Sequence, residues 1–183
     1  MRKIDLLASV SLASLAMAIA TVAWAQQPER AGVATYVNPD AIGAPPALPE
    51  RTLYIGLDVI RNERIATKEQ GQVQIQFLDR SAVTVGPRSE LVIDEYIYTP
   101  QTQTGRLIMT TTRGAFRYVG GAISKKEDVV VNTPAGTVVI RGGVMSWELD
   151  EDENGVARLI VDMLFGDGLT VTGLNGQIAR LFR

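Results

Sequence analysis

Apolar and polar residues alternate with a period of two once the chain has passed residue 50. Leu53, Ile55, Leu57 and Val59 alternate with polar or small residues, and the same pattern returns in Val73–Phe77, where glutamines fill the other positions. Successive side chains of a β-strand point to opposite faces, so this alternation indicates strands with one buried face. The pattern predicts strands over residues 52–59 and 72–77.

Short apolar runs continue to the end of the chain, separated by turn residues. They cover residues 82–85, 90–98, 106–111, 115–119, 129–132, 137–141, 144–149, 156–165, 169–172 and 177–182. Many short strands without helical periodicity favour one all-β domain over residues 51–183, built as a sandwich, a barrel or a β-solenoid. Two runs, Val129–Val131 and Val138–Ile140, are apolar at consecutive positions, which predicts central strands buried on both faces.

The first 25 residues have the pattern of a secretory signal peptide. Arg2 and Lys3 precede an uncharged apolar run over residues 6–23, and Ala23 and Ala25 form a small-x-small cleavage site. We predict cleavage after Ala25 and export by the general secretory route to the periplasm or the extracellular space. Retention of the run as a membrane anchor is the alternative. Cleavage would leave a mature chain without a membrane span.

Residues 26–50 are rich in proline. They hold five of the eight prolines of the chain: Pro28, Pro39, Pro45, Pro46 and Pro49. Proline fixes φ and cannot donate to a sheet ladder, so a proline-rich run disfavours helix and strand. We interpret residues 26–50 as a proline-rich spacer between the signal peptide and the domain.

Composition narrows the chemistry that the chain can perform. It contains no cysteine and no histidine, which removes the usual ligands of zinc, copper and haem, the cysteine nucleophile and the commonest general base. The formal net charge is −2 and basic residues are dispersed, whereas nucleic-acid binding needs a basic stripe. We therefore expect a protein that is not an enzyme and does not bind nucleic acid.

An acidic segment matches the start of a calcium-binding loop. Asp150, Asp152 and Asn154 occupy alternate positions before Gly155, an arrangement that places oxygen ligands around a hard cation. The loop lacks the closing bidentate glutamate, because Val161 stands at the twelfth position. An acidic hairpin whose Asn-Gly pair forms the turn is the alternative. Calcium is the one cofactor that the sequence suggests.

Several short segments in order resemble the FecR domain of ferric-citrate signalling regulators. The segments are Ile65–Thr67 with Gly71, Phe77–Ser81, Val83–Leu91, Arg113–Phe116, Val131–Ala135 and Val138–Gly142. The resemblance covers about residues 55–172. Its turn residues are Asp79, Ser81, Gly86, Pro87, Ser89, Gly114, Thr133, Pro134, Arg141 and Gly142. We expect them to shape turns, because Asp, Ser, Gly and Pro favour tight bends. For Arg141, anchoring an acidic partner is the alternative to a surface or paired arginine.

The resemblance implies an all-β envelope domain used for sensing or interaction. In the regulators, this domain relays the state of an outer-membrane receptor to a cytoplasmic sigma factor. Only five residues precede the apolar run here, so we expect no cytoplasmic anti-sigma segment and no transmembrane relay. The family also usually has threonine after Arg-Gly, where this chain has Gly143.

Two functions fit these observations. The first is an exported binding or sensory module of the cell envelope, with an envelope protein or a glycan as partner. The second is a structural or adhesin-like surface protein that self-associates into oligomers through its sheet edges. Aromatic side chains anchor many interfaces, and those that are exposed could serve here: Tyr54, Tyr96, Tyr98, Tyr118 and Trp147. Burial of most of them in the core is the alternative.

Overall fold

The computed structural model describes residues 29–166 and 168–182. The predicted signal peptide therefore lies outside the described residues. The described strands are β1 (Arg30–Asn38), β2 (Ala41–Ala44), β3 (Arg51–Thr52), β4 (Asp58–Ile60), β5 (Arg64–Thr67), β6 (Gln72–Phe77), β7 (Ala82–Val85), β8 (Glu90–Thr99), β9 (Thr104–Val119), β10 (Val129–Thr133), β11 (Gly136–Arg141), β12 (Val144–Glu151), β13 (Ala157–Phe165), β14 (Gly168–Gly173) and β15 (Ile178–Leu181). The one helical element in the described part of the chain is a 3-10 helix at Ile123–Lys125.

The long strand β9 connects the two halves of the sheet. Its first half pairs with β8 antiparallel and with β10 parallel, and this side continues through β5, β2 and β3 and through β11, β14 and β15. Its second half pairs antiparallel with β7 and with β12, and this side continues through β6, β1 and β4 and through β13. No pairing among the described strands closes the sheet into a barrel.

Both halves of the sheet bury apolar side chains in one core. Leu107 and Met109 from the first half of β9 and Phe116 and Tyr118 from its second half belong to the same hydrophobic cluster. Phe116 stacks on Trp147 of β12 with ring centroids 5.1 Å apart. The described elements are strands apart from one short 3-10 helix, which confirms the all-β fold predicted from the period-two pattern, and they share this core. Within residues 29–166 and 168–182, no helix has the length and apolar character needed to cross a membrane.

The prediction of a spacer over residues 26–50 is wrong for residues 29–50, which the structure describes. Residues 30–38 and 41–44 form β1 and β2, and Ala31, Ala34 and Ala41 are fully buried in the core. The four prolines within residues 29–50 stand outside these strands: Pro39 lies in the turn between them, and Pro45, Pro46 and Pro49 follow β2. Proline interrupts a sheet only where it stands, so proline-free segments between turns can still pair. The described part of the domain therefore includes residues before 51.

The strand predicted over residues 52–59 is also wrong. The chain forms the two-residue strand β3, turns, and resumes as β4. Gly56 has a φ of +90° in this turn, and the Leu57 N–H donates to the Tyr54 carbonyl at 3.1 Å. Tyr54 and Ile55 are left exposed. The alternation was misleading because a turn with two exposed apolar residues has the same pattern as a half-buried strand.

The valine-rich strands β10 and β11 are central but are not fully buried on both faces. Val129, Val131, Val138 and Ile140 are buried, whereas the intervening residues of both strands are only partly buried. β10 lies between β9 and β11, and β11 lies between β10 and β14. One face of this part of the sheet therefore packs on the core and the other is half open to solvent.

Replacing Gly114 with alanine is expected to lower the free energy of unfolding. Gly114 has a φ of +94°, and an added Cβ would overlap the Ser89 side chain and backbone. Gly56→Ala is a matched control, since φ is +90° there but nothing lies within 4 Å of the added Cβ. The strained φ alone costs about 1 kcal/mol at either position, and the overlap should add about 1–3 kcal/mol at Gly114. Urea unfolding of both variants measures the difference; equal losses would contradict steric overlap at Gly114.

Candidate binding groove at the Asp79 turn

The turn between β6 and β7 is held together by a buried carboxylate. Asp79 is 1% exposed. Its Oδ1 accepts hydrogen bonds from the Ser81 N–H at 3.1 Å and the Ser81 hydroxyl at 2.5 Å. Its Oδ2 accepts from the Ile123 N–H at 3.0 Å, at the start of the 3-10 helix. The carboxylate therefore fixes the turn and also ties it to a segment distant in sequence.

Two tyrosines pack around this turn. The Asp79 N–H donates to the Tyr96 hydroxyl at 2.9 Å, and Tyr96 stacks on Phe77 with ring centroids 5.3 Å apart. The Tyr118 hydroxyl is buried beside Ser81, with no well-aligned hydrogen bond to any described residue. Burial raises the pKa of both phenols, that of Tyr118 to about 12. Both tyrosines are therefore neutral at physiological pH and act as structural groups.

An open groove of about 760 Å³ lies against this turn. Its lining includes the exposed Leu78, the partly buried Tyr98 and Pro100. The β8–β9 turn and the 3-10 helix contribute further walls, and the Lys126 ammonium donates to the Thr102 carbonyl in that turn at 2.7 Å. A cavity of this size falls within the range of about 300–1,000 Å³ that is typical of ligand sites.

The groove is positively charged although the chain carries a net charge of −2. Arg80, Lys125 and Lys126 line it and are exposed. None of the three makes an ion pair with a described residue, whereas Arg141 and seven other described cations do. The one carboxylate in the lining is Asp79, which is buried and hydrogen-bonded. Positive charge that no described carboxylate pairs with favours an anionic partner.

Four other motif residues meet at a second place, away from the groove. The Thr67 hydroxyl donates to the Gly86 carbonyl at 2.5 Å and accepts from the Ser89 N–H at 3.0 Å. The Ser89 hydroxyl donates to the Pro87 carbonyl at 2.9 Å and accepts from the Ala115 N–H at 3.0 Å. Gly114 packs against Ser89. This network orders the β7–β8 turn against β9 and leaves these hydroxyls engaged in structure.

The remaining motif residues shape two further turns. The Thr133 hydroxyl accepts from the Ala135 N–H and donates to the Gly136 carbonyl across Pro134 in the β10–β11 hairpin. Arg141, 61% exposed, pairs through Nε with an Asp128 carboxylate oxygen at 2.9 Å, which is the paired-arginine alternative. The Gly142 N–H donates to the Ser124 carbonyl at 2.7 Å. Gly142 thus holds the 3-10 helix that lines the groove.

The acidic segment 150–155 forms the β12–β13 hairpin. Asp150 pairs with Arg158 on the facing strand, and Asp152 Oδ1 accepts from the Asn154 and Val156 N–H groups at 2.8 and 2.9 Å. These bonds lower the pKa of both carboxyl groups. Among the described residues, no group of three or more acidic side chains is arranged to hold a metal ion. Calcium binding by Asp150, Asp152 and Asn154 stays a prediction.

Most of the aromatic residues considered as interface candidates belong to the core, which was the alternative. Tyr96, Tyr118 and Trp147 are at most 2% exposed, because they lie on the inward faces of β8, β9 and β12. The Trp147 indole N–H donates to the Thr111 hydroxyl at 3.2 Å. Tyr54 is exposed in the β3–β4 turn. Only Tyr98, which is partly buried, lines the groove.

A buried ion pair was not predicted from the sequence. Glu63 is fully buried just before β5, and its carboxylate accepts from the Arg51 guanidinium at 2.9–3.1 Å and from the Ile60 N–H at 3.0 Å. Gly43 of β2 packs directly on this carboxylate. The separation of Glu63 from Arg51 in the sequence matches no motif that would predict an ion pair between them. The available signal was Gly43 inside the apolar segment 41–44, because a glycine within a strand often marks a place where another group packs closely against the backbone.

Stability in alkali is expected to depend on Tyr118. Below a pH of about 10, folded and unfolded chains both keep the phenol proton. Between about 10 and 12, the unfolded chain ionises while the folded chain stays neutral, because burial raises the folded pKa to about 12. The free energy of unfolding should fall by about 1.4 kcal/mol per pH unit in this window. Tyr118→Phe should lack this loss. Between pH of about 9 and about 11, the free energy of unfolding measured in urea should therefore fall by about 1.4 kcal/mol more for the wild type than for the variant. If the wild type and Tyr118→Phe lose the same stability between these two pH values, Tyr118 is not the cause of the loss.

Comparison with known proteins identifies the family. The family model described as FecR protein matches residues 63–166, which is more than half of the chain. The chain therefore belongs to the FecR family. The strands β1–β4 precede the matched region and complete its sheet.

Solved structures give a weaker likeness. Two crystal structures of a candidate anti-sigma factor from Parabacteroides distasonis are similar to the chain at 12% and 13% identity, each with a TM-score of 0.35. The alignments cover 66% of this chain and 59% of those chains, so this chain matches about three fifths of their length. No curated protein matches the chain.

Proposed function

We propose that this FecR-family chain is an exported, non-enzymatic binding module of the bacterial envelope that recognises an acidic partner in the groove at the Asp79 turn. The observation that carries the proposal is the set of three exposed cations, Arg80, Lys125 and Lys126, none of which forms an ion pair with a described residue. They surround an apolar floor that includes Leu78 and Tyr98. An acidic segment of an envelope protein fits this combination of charge and apolar surface.

The local chemistry supports binding rather than catalysis. Both oxygens of the Asp79 carboxylate accept hydrogen bonds from the protein. Burial raises the pKa of Tyr96, so its hydroxyl stays protonated. A general acid or base needs access to the substrate and a pKa near the working pH. Neither group meets both conditions.

A pull-down from envelope extract tests the groove. The wild-type chain is compared with Arg80→Glu/Lys125→Glu and with the control Lys68→Glu/Arg117→Glu, which reverses two exposed, unpaired cations outside the groove. We expect the wild type and the control to retain the same protein, with recovery falling as salt screens the charges. The groove variant should recover at least about tenfold less, which corresponds to about 1.4 kcal/mol. Equal recovery by all three chains would refute the groove as the binding site.

Export is tested separately by the N-terminal sequence of the chain recovered from the periplasm or medium. The expected new terminus is Gln26. An intact N-terminus on a chain found in the cytoplasm would contradict export without bearing on the groove.

A further inference from the structure

The β13 strand forms an apolar edge of the sheet. Among the described strands β13 pairs with β12 alone, so the outer edge of its segment from Arg158 to Asp162 has no described strand beside it. Ile160 is 44% exposed, and Val156, which directly precedes β13, is 60% exposed. The alternate residues Leu159, Val161 and Met163 are only half buried. An edge with apolar side chains on both faces is a template for pairing with another strand.

The charges of β13 are placed symmetrically about Ile160. Arg158 and Asp162 lie two residues to either side of it and are exposed on the same face as Ile160. Within the chain, Arg158 pairs with Asp150 of β12. Asp162 faces Ser146 of β12 and makes no ion pair with a described residue. The charge pattern of this edge is therefore complementary to itself when the second strand runs antiparallel.

We propose that β13 pairs antiparallel with β13 of a second copy, centred on Ile160, to form a two-fold symmetric dimer with a continuous sheet. This register places Arg158 of each copy opposite Asp162 of the other. It also places Leu159 opposite Val161 and Ile160 opposite its own counterpart, so each apolar residue meets an apolar residue. Opposite charges in directly facing positions stabilise a strand pair.

The charges also discriminate against neighbouring registers. A shift of two residues places Arg158 opposite Ile160, or Asp162 opposite Ile160, and both ion pairs are lost. A shift of four residues places Arg158 opposite Arg158, or Asp162 opposite Asp162, and like charges directly opposite destabilise the pair. The register centred on Ile160 is the one in which the apolar and charged positions all match.

A charge-reversal experiment tests this register. Asp162→Arg alone places two arginines opposite each other across the two copies, and Arg158→Asp alone places two aspartates opposite each other. By light scattering, we expect the wild-type chain at dimer mass and each variant at monomer mass. An equimolar mixture of the two variants should return to dimer mass, because every facing pair is then of opposite sign. A monomeric wild type, or a mixture that stays monomeric, would overturn the proposal. Circular dichroism confirms that both variants are folded.

Crosslinking gives an independent measurement, because the natural chain has no cysteine. Facing residues of antiparallel strands have Cα atoms about 4.5–5.5 Å apart, within the range that a disulfide spans. Ile160→Cys should therefore oxidise to a covalent dimer. Glu148→Cys is the matched control: Glu148 is exposed and lies beside Ile160 on β12, but the two copies of residue 148 would be three strand spacings, about 14 Å, apart. Equal crosslinking of both variants would contradict the register.

Discussion

Replacing Arg51 with alanine is expected to lower the free energy of unfolding by about 3–5 kcal/mol, because it leaves a buried carboxylate without its cation. Glu63 is fully buried, and Arg51 contacts both of its carboxylate oxygens. The same guanidinium donates to the Asp58 carbonyl at 2.7 Å. The pair therefore joins β3 to the start of β4 and of β5, and its loss should loosen the strands that precede the family-matched region.

The Arg30–Asp58 pair provides the matched control. Its atoms are 2.8 Å apart, but its side chains are 49% and 55% exposed. Water replaces an exposed partner at little cost, so Arg30→Ala should lose about 1 kcal/mol or less. The double variant Arg51→Ala/Glu63→Gln should recover part of the loss, since a neutral amide is less costly to bury than an unpaired carboxylate. If Arg51→Ala and Arg30→Ala have the same urea midpoint, the buried pair contributes no more to stability than the exposed pair.

The fold could be predicted where one face of a strand is buried along its whole length. β6 alternates without interruption, and its predicted bounds agree with the structure. The prediction failed at residues 53–57, where a turn has the same alternation. It also divided β9 at Gly114, because a glycine normally marks a turn. In the structure, Gly114 bends the strand, and pairing continues on both sides of it.

The candidate groove could be predicted only in part. The hydrogen bonds between Asp79 and Ser81 follow from turn chemistry, because an Asp side chain commonly accepts from the backbone two residues further along the chain. The bond from Ile123 to Asp79 and the meeting of Arg80 with Lys125 and Lys126 depend on the pairing of β7 with β9. Such non-local contacts arise from strand order, which the alternation of residues does not specify. A dispersed basic composition consequently concealed a local concentration of positive charge.

Replacing Asp79 with alanine is expected to destabilise the domain and to disorder the groove at the same time. The substitution leaves the Ser81 and Ile123 N–H groups, both buried, without an acceptor. Each buried unpaired donor costs about 1–3 kcal/mol, so we expect a loss of about 2–6 kcal/mol. Urea unfolding measures this loss.

Asp79→Asn removes the charge and one of the two acceptor oxygens but keeps the other. The amide keeps one acceptor oxygen for the Ser81 N–H but presents an NH₂ group towards the Ile123 N–H, so its loss should lie between zero and that of Asp79→Ala. Because the Ile123 bond positions the helix that carries Lys125, both variants should also weaken partner binding in proportion to their loss of this contact. A variant that unfolds like the wild type would show that the turn and the 3-10 helix hold their places without the carboxylate.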